Sequence, residues 1–418
     1  MRKDLISEDK NHQEVKAFKS FLEETLREGA RTMLQKAIEY EVEEYIQMLQ
    51  EEKETNGKRA IVRNGYLPER TIQTGIGPIL IKQPRVRDKR AIVKFTSAIL
   101  PPYMRRTPTL EAVIPAFYLK GVSTGDFSEA LESILGKNAK GLSPANIVRL
   151  KSGWEKEYKE WINRSLSGKH YVYIWVDGIY FNVRLEESRP CLLVIIGALA
   201  DGTKEVIGIY DGHRESKESW KEALHDLKRR GVSIEPRLAI GDGALGFWAA
   251  VEEVFPSTKQ QRCWVHKTVN VLDKMSQSVQ GHAKMLIHEM YMAPTKEKGL
   301  KAFDAFMRSY EAKYPKACEY LKKDKDQLFT FYDFPAEHWQ HIRTTNPIES
   351  TFATVRHRTR QTKGCGSRIA TLTMVFKLAL SAQKHWRKLR GYQLIEKVVK
   401  GVQFKDGIEV KNSEEKAA

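Results

Sequence analysis

The chain begins with a long stretch of helical periodicity. Between residues 14 and 52, apolar side chains recur mostly at intervals of three and four with charged residues between them, which is typical of an amphipathic helix or helix pair. Such a segment would either pack on the rest of the protein or form a dimer contact, and the pattern favours neither. The apolar positions are Phe18, Phe21, Leu22, Leu26, Met33, Leu34, Ile38, Val42, Tyr45, Ile46 and Leu49.

The next segment consists of short apolar runs separated by turn residues. Glycine and proline residues punctuate runs such as Ile79-Leu80-Ile81, which predicts a small β-hairpin region over residues 64–95. Basic residues then accumulate, and this surface is interpreted either as a solvated face or as a contact for phosphates. They are Lys82, Arg85, Arg87, Lys89, Arg90, Lys94, Arg105 and Arg106.

Residues 108–165 return to a helical pattern. One helix stops at Gly136, and the next is opened by Ser143, a good N-cap, and Pro144, a good first helical residue. Two short helices with a glycine-containing connection suit a helix-turn-helix, although any pair of antiparallel helices would give a similar pattern. In a helix-turn-helix the second helix would face the major groove of DNA. Its candidate contacts are Asn146, Arg149 and Lys151.

From residue 170 the pattern becomes mixed α/β. Three predicted strands, 171–184, 191–199 and 204–210, come first, and Asp201-Gly202 forms the turn between the last two. A helix, a short strand, a second helix and another strand follow, at about 215–230, 237–241, 245–254 and 259–264. Three antiparallel strands and then a crossover helix to a further strand is the ribonuclease-H-like order. Residues 267–335 are largely helical and read as an insertion before the last long helices, at about 347–362 and 368–390.

The charge balance narrows the class of partner. The 418 residues include 70 basic and 53 acidic side chains, a formal net charge of +17, which indicates a polyanionic partner. Nucleic acid is the first candidate and an anionic membrane surface the second, but no stretch approaches the roughly 20 apolar residues that span a bilayer. The N-terminus lacks the apolar core of a signal peptide. Four scattered cysteines without a Cys-x-x-Cys pair indicate a reducing, cytoplasmic setting.

These patterns together predict an α/β core, a ribonuclease-H-like mixed sheet with a helical insertion, preceded by a mainly helical DNA-binding region. The expected domains are an N-terminal helical region (1–62), a small basic β segment (63–107), a helix-turn-helix-like region (108–165), a catalytic core (166–266 and 336–400), the helical insertion (267–335) and a tail (401–418).

Two aspartates occupy positions that suit a metal site. Asp177 interrupts a strongly apolar run; an Asp-Gly turn there would leave two very short strands, so a buried charge that needs compensation is favoured. Asp242 ends a second apolar run, 238–241. It either caps the following helix or belongs to a site at the carboxyl end of a strand. If the two strands are neighbours, the two carboxylates would lie close together.

Glu349 lies at the start of a probable helix and has a strong alternative role. With Asn346 as cap and Pro347 as first residue, Glu349 would be third, as in a capping box, which stabilises a helix by only about 1 kcal/mol. The alternative is a third metal-binding carboxylate. Two divalent ions held by shared carboxylates about 4 Å apart are the standard means of cutting and joining phosphodiesters.

Two further groups surround these acids in the sequence. Cys263 and His266 could bind metal, but His282 and His288 are poorly placed as a second pair, so structural zinc is not expected. The pair is interpreted as hydrogen-bonded packing or as a wall of the site. The helix after Glu349 carries a basic strip that either contacts the DNA backbone or is a solvated face. Its members are Arg356, Arg358, Arg360 and Lys363.

Over about residues 15–410 the sequence resembles the Mutator-type DDE transposases of bacterial insertion sequences. The resemblance is carried by Asp-Gly-Ile-Tyr-Phe-Asn-Val-Arg from residue 177, Gly-Asp-Gly-Ala-Leu-Gly-Phe-Trp-Ala-Ala from 241, Gln-Arg-Cys-Trp-Val-His-Lys-Thr from 261 and Arg-Thr-Thr-Asn-Pro-Ile-Glu-Ser-Thr-Phe from 343. It implies that Asp177, Asp242 and Glu349 form the catalytic, metal-binding triad. It also implies that the Cys-x-x-His marker, here Cys263 and His266, lies close to the active site.

The resemblance further implies an expected activity and partners. It implies DNA cleavage and strand transfer that depend on Mg²⁺, for which Mn²⁺ would substitute. The substrate would be the terminal inverted repeats of the element, on bacterial chromosomal or plasmid DNA, and a homodimer would bring the two repeats together. Members often carry Arg where this chain has Gly125; if that Arg contacts DNA, this chain lacks one contact. Two alternatives stay open: a structure-specific nuclease on the same fold, and a non-catalytic DNA-binding regulator derived from a transposase.

Overall fold

The computed structural model describes residues 2–54, 57–90, 95–110, 119, 144–181, 191–212, 214–361 and 367–410. For residues 2–20, 144–151, 245 and 358–361 it describes the backbone alone. The chain divides into two compact units, Met1–Leu150 and Lys151–Ala418.

The first unit combines a long helix with two small β-sheets. Helix α1 spans Arg2–Met48, and the strands that follow are β1 (Ile61–Tyr66), β2 (Arg70–Thr74), β3 (Gly77–Ile81) and β4 (Pro84–Asp88). Strands β2 and β3 form a hairpin, and β1 pairs antiparallel with β4. The predicted hairpin region is therefore confirmed, although it contains two separate pairings.

A small apolar cluster holds this unit together. Ile38 of α1 is fully buried against Ile72, Ile79 and Ile81 of the β2–β3 hairpin. Helix α1 therefore packs on its own unit along part of its length, in agreement with the packing alternative considered from the sequence. Other predicted apolar positions of α1 lie open: Phe21 is 71% exposed. Whether they form a dimer contact stays a prediction.

The predicted helix-turn-helix lies mostly outside the described residues. Helix α2 spans Pro144–Ile162 and begins at the proline predicted to open it. The preceding helix, Ser143 and Gly125 are not described, and for Asn146, Arg149 and Lys151 only the backbone is. Their roles stay predictions.

A five-stranded mixed sheet forms the centre of the second unit. Its strands are β5 (Tyr171–Tyr180), β6 (Cys191–Leu199), β7 (Lys204–Gly212), β8 (Leu238–Gly241) and β9 (Lys259–Arg262), arranged in the order β7-β6-β5-β8-β9. Strands β5, β6 and β7 are antiparallel neighbours, whereas β8 pairs parallel with β5 and β9 parallel with β8. Helices α3 (Lys217–Arg229) and α4 (Leu245–Val254) make the crossovers, close to the positions predicted.

The two faces of the sheet have different coverings. On one face Ile174 and Val176 of β5 join a cluster with Trp220 of α3 and Phe247 of α4, each at most 2% exposed. Burial of side chains of this size stabilises by about 1.5–3 kcal/mol each. Because side chains alternate along a strand, Tyr173 points to the opposite face, where its hydroxyl lies 2.8 Å from His338 Nδ1.

The segment after β9 is largely helical from Trp264 to Ile342, beyond both bounds of the predicted insertion, and its being an insertion stays a prediction. Its helices are α5 (Trp264–Leu272), α6 (Gln277–Met292), α7 (Lys296–Tyr310), α8 (Pro315–Lys323), α9 (Lys325–Leu328) and α10 (Trp339–Ile342), with short 3₁₀ turns at Thr330–Asp333 and Ala336–His338. The two ends of the segment lie next to each other, because the Trp264 N–H donates to the Arg343 carbonyl at 3.0 Å.

The C-terminal part adds two long helices and a small hairpin. Helix α11 spans Asn346–Gln361, α12 spans Arg368–Gln383 and a short α13 spans Ile395–Val399. The prediction extended α12 to about residue 390, which is too long. Strands β10 (Phe404–Lys405) and β11 (Ile408–Glu409) pair within the segment predicted as a tail. Among the described helices, none has the length and apolarity needed to cross a membrane.

Candidate active site

Asp177 lies within the central strand, not in a turn. Asp177 and Gly178 pair with Val194 and Leu193 of β6, so the Asp-Gly turn considered from the sequence is excluded. The Asp177 residue is 6% exposed. Its carboxylate accepts one hydrogen bond, from the Gly178 N–H at 2.8 Å, and no ion pair to it occurs among the described residues. A carboxylate buried this far with so little compensation is costly.

The pKa of the Asp177 carboxyl reflects this unfavourable burial. Burial raises the pKa of the Asp177 carboxyl to about 7, and the negative charges of Asp242 and Glu215 add to the rise, whereas the charge of His266 opposes it. Asp242 and Glu215 therefore lie within electrostatic range of Asp177. A bound cation would reverse the balance, because it would favour the charged form of every carboxylate around it.

Asp242 is held at the carboxyl end of β8 by a tight turn. Its Oδ1 accepts a hydrogen bond from the Ala244 N–H at 3.0 Å, and Gly243 between them has a φ of 90°, a value that favours glycine. A Cβ on Gly243 would also overlap the Arg262 guanidinium. The cap position of α4 belongs to Ala244, so Asp242 is not the helix cap considered from the sequence. Strand β8 runs parallel beside β5, and Ile240 pairs with Trp175, so Asp242 lies level with Asp177 two residues further along.

Glu349 lies in the first turn of α11, but not in the capping box considered from the sequence. The carbonyl of Thr345 accepts the Glu349 N–H at 3.0 Å, so Thr345 occupies the cap position and Glu349 is the fourth helical residue, one place beyond the capping-box position. The Thr345 N–H points to Cys263 Sγ at 3.3 Å, which leaves it unavailable to a glutamate. The assignment of Asn346 as cap is therefore wrong.

The Thr345 hydroxyl connects Glu349 to the Cys-x-x-His pair. Its Oγ1 lies 3.1 Å from Glu349 Oε1, 3.3 Å from Cys263 Sγ and 3.4 Å from His266 Nδ1, and the Thr345 residue has no exposed surface. His266 Nε2 is 3.7 Å from Glu349 Oε1. Cys263 and His266 are thus linked through the Thr345 hydroxyl and lie beside Glu349. Sequence reasoning missed Thr345, because a threonine before a helix signals a cap and nothing more.

The three potential ligand atoms of Cys263, His266 and Glu349 lie within 4.8 Å of one another. The Thr345 hydroxyl lies within 3.4 Å of all three, and its single proton can be donated to one acceptor at a time. The group is one ligand short of the four that a structural zinc site uses, and Asp177 and Asp242 do not join it within that range.

His266 supplies positive charge beside the acids. Its interaction with the Cys263 side chain, followed by the charges of Asp177 and Glu349, raises the pKa of His266 to about 9. The imidazole is therefore protonated at neutral pH in the metal-free protein. Its charge lowers the pKa of both Asp177 and Glu215 and partly offsets the negative charge of the cluster.

Glu215 is a fourth acid that sequence reasoning missed. It directly precedes Ser216, the N-cap of α3, and a Cβ on Gly178 would overlap its carboxylate. Burial, and then the charge of Asp242, raises the pKa of Glu215 to about 7. The one sequence signal was the glycine after Asp177, which leaves room for another side chain but does not identify it.

The basic strip after Glu349 is described only at its beginning. Arg356 is exposed on α11, and its Cζ lies 5.8 Å from the centre of the Phe352 ring. Arg358 and Arg360 belong to the same helix, but only their backbone is described, and Lys363 lies outside the described residues. Contact between this strip and DNA stays a prediction.

The chain was compared with known proteins and protein families. A family model described as transposase, Mutator family, matches residues 2–389. The transposase for insertion sequence element IS6120 of Mycolicibacterium smegmatis is 51% identical over 298 residues, which cover 71% of this chain and 92% of that protein. The transposase for insertion sequence element IST2 of Acidithiobacillus ferrooxidans is 51% identical over 287 residues, or 67% of this chain and 95% of that protein.

A more distant relative extends the match along the chain. The transposase for insertion sequence element IS256 in transposon Tn4001 of Staphylococcus aureus is 30% identical over 332 residues, which cover 78% of this chain and 82% of that protein. The family match spans nearly the whole chain, including both aspartates, Glu349 and the Cys263–His266 pair. The chain therefore belongs to the Mutator family of transposases.

Proposed function

We propose that this transposase binds the terminal inverted repeats of an insertion sequence and catalyses metal-dependent DNA strand cleavage and strand transfer. One observation carries the proposal. Asp177, nine-tenths buried and with one hydrogen bond, lies within electrostatic range of Asp242, and His266 lies within range of both Asp177 and Glu349. Asp177 and Asp242 thus belong to neighbouring strands, and His266 connects them electrostatically to Glu349.

We also propose that the core is ribonuclease-H-like. The support is the strand order β7-β6-β5-β8-β9, in which three antiparallel strands are followed by two parallel ones reached through helical crossovers. The largely helical segment between β9 and α11 matches the insertion that such a core would carry in this family.

The donor set fits a hard divalent cation. Asp177, Asp242 and Glu349 offer only carboxylate oxygens, which Mg²⁺ prefers and Mn²⁺ accepts. The buried Asp177 carboxylate also lacks a protein cation to pair with among the described residues, apart from the electrostatic influence of His266. Bound there, Mg²⁺ would lower the pKa of an attacking water or 3′-hydroxyl and stabilise the leaving oxygen.

Side chains of the protein would hold the metal ions, orient Glu349 and balance the charge of the acids. Asp177 and Asp242 would hold one ion, and Asp177 with Glu349 the other. The Thr345 hydroxyl fixes the direction of the Glu349 carboxylate through their 3.1 Å hydrogen bond. His266 holds a proton beside Glu349 and limits repulsion among the acids before metal binds. No nucleophilic side chain is required, because water or a DNA hydroxyl makes the attack.

DNA contacts are proposed on two parts of the chain. The helix-turn-helix-like region, through Asn146, Arg149 and Lys151, would bind the inverted repeats, and the basic strip that begins on α11 would follow the DNA backbone. The strip comprises Arg356, Arg358, Arg360 and Lys363. Two DNA ends must be brought together for strand transfer, so the working form would be a homodimer.

The test uses labelled inverted-repeat DNA with Mg²⁺ and purified variants. We expect Asp177→Asn, Asp242→Asn and Glu349→Gln each to retain DNA binding and to lose cleavage. Asp304→Asn, at an exposed aspartate of α7, is the matched control and should cleave like the wild type. Retained cleavage in any of the three variants would remove that residue from the site.

The products distinguish the proposal from its alternatives. Joined DNA products would support a transposase that transfers strands. Cuts without joining would indicate a structure-specific nuclease, and binding without cleavage by the wild type would indicate a regulator.

A further inference from the structure

We propose that Glu215 is a fourth carboxylate of the metal-binding site, on the side of Asp242, holding the ion shared by Asp177 and Asp242 either directly or through a bound water. This inference rests on the proposed function, because it assigns a further residue to the same site. It adds a residue that is neither part of the acidic triad nor close to it in sequence.

Two close approaches place Glu215 beside the strand that carries Asp177 and beside the loop that carries Asp242. Its carboxylate lies over Gly178, the residue after Asp177, so closely that a Cβ there would overlap it. Gly178 shares a sheet face with Val176, which packs against α3 and α4, so Glu215 approaches from this side. Gly246 of α4 packs on the backbone just after Glu215, and a Cβ on Gly246 would overlap that backbone. The loops that carry Glu215 and Asp242 are therefore packed together.

The Glu215 carboxylate lacks a compensating partner in the part of the chain that the structure describes. It has no hydrogen bond or ion pair there, whereas its neighbour Lys217 forms an ion pair with Glu253 at 3.1 Å. Asp242, His266 and Asp177 are the charged groups within its electrostatic range, and two of them are acids. Half-buried carboxylates of like charge placed together destabilise a fold unless a cation binds among them.

Charge balance gives the arrangement a chemical reason. Two divalent cations bring four positive charges, and three carboxylates leave one of them uncompensated. A fourth carboxylate would neutralise the pair before DNA enters, so the DNA phosphate would not have to supply the missing charge. Its oxygen ligands are also of the hard type that suits Mg²⁺ and Mn²⁺.

The test measures Mn²⁺ binding by the full-length protein without DNA, from the electron paramagnetic resonance signal of free Mn²⁺. We expect Glu215→Gln to weaken Mn²⁺ binding by about 10–100-fold, as loss of an outer or direct metal partner does. Glu218→Gln changes an exposed glutamate three residues away, in the first turn of α3, and should bind like the wild type.

Thermal unfolding of the same proteins provides a second readout. Without metal, at a pH above the Glu215 pKa of about 7, Glu215→Gln should unfold at a higher temperature than the wild type, because one repelling charge is gone; with saturating Mn²⁺ this order should reverse. A residue that only packs the loop would lower both unfolding temperatures and leave Mn²⁺ affinity unchanged. Wild-type affinity in Glu215→Gln, in a preparation where Asp177→Asn has lost binding, would overturn the inference. Absence of Mn²⁺ binding by the wild type would contradict the proposed function itself, and the inference would fall with it.

Discussion

The Thr345 hydroxyl offers the sharpest test of how this site is built. Thr345→Val removes the hydroxyl and keeps the branched shape, so packing at this fully buried position changes little. The variant loses the hydrogen bond to Glu349 Oε1 at 3.1 Å and the contact with Cys263 Sγ at 3.3 Å. The backbone cap of α11 is unaffected, because it uses the Thr345 carbonyl.

The size of the effect follows from the kind of bond removed. A hydrogen bond to a charged group contributes about 1.5–3 kcal/mol. If that energy serves to hold the Glu349 carboxylate in its reactive direction, the rate of DNA cleavage should fall by roughly 10–100-fold, since about 1.4 kcal/mol corresponds to a tenfold change. DNA affinity should not change, because Thr345 is buried and Glu349 repels phosphate rather than binding it.

The assay is single-turnover cleavage of labelled inverted-repeat DNA at saturating protein, together with DNA-binding and thermal-unfolding measurements. Thr345→Ser is the matched control: it keeps the hydroxyl, loses a methyl group and should cleave within about threefold of the wild type while being destabilised by roughly 1 kcal/mol. Equal rates for Thr345→Val and the wild type would refute the reasoning. Equal slowing in both variants would show that packing, rather than the hydroxyl, is what matters.

Three further outcomes are expected. Gly243→Ala should lower the unfolding temperature by several degrees and abolish cleavage, because φ is 90° there and the new Cβ would overlap Arg262; calorimetry and the cleavage assay test both. Asp177 has a folded-state pKa of about 7, above its unfolded value, so it contributes stability below about pH 4 that is lost as pH rises to about 7. Across that range the unfolding free energy of the metal-free wild type should therefore fall by on the order of 3 kcal/mol relative to Asp177→Asn. Denaturation at each pH measures this difference, and a difference that does not change with pH would contradict the prediction. Arg356→Ala should weaken DNA binding without sequence preference and reduce the salt slope by about 1, as measured by fluorescence anisotropy; an unchanged slope would exclude a phosphate contact.

Much of the fold was predictable because the signals are local. Apolar runs bounded by turn residues located the strands of the main sheet, and Asp201-Gly202 marked the β6–β7 turn, where Gly202 has a φ of 81°. Asp177 and Asp242 were identifiable for the same reason: each stands next to a continuous apolar strand, where a charge is conspicuous. The small β10–β11 hairpin was missed, because strands of two residues leave no periodicity to detect.

The rest of the candidate site depends on contacts between distant segments. Nothing near Glu215 in the sequence indicates that it will lie over Gly178, some 37 positions earlier. Thr345 likewise resembles an ordinary helix cap until the fold brings Cys263 and His266 to its hydroxyl. The capping-box alternative for Glu349 could be excluded only once the partner of the Thr345 N–H was known.

The backbone hydrogen bond between Trp264 and Arg343 has a consequence for how such enzymes diversify. The segment that begins after β9 returns to its starting point, where the hydrogen bond between Trp264 and Arg343 joins its two ends. Lengthening a closed loop costs only about 0.6 kcal/mol for each doubling. Helices in this segment can therefore be gained, lost or exchanged at a small entropic cost while Glu349 keeps its position. The junction can thus accept new DNA-binding modules without a change in the active site.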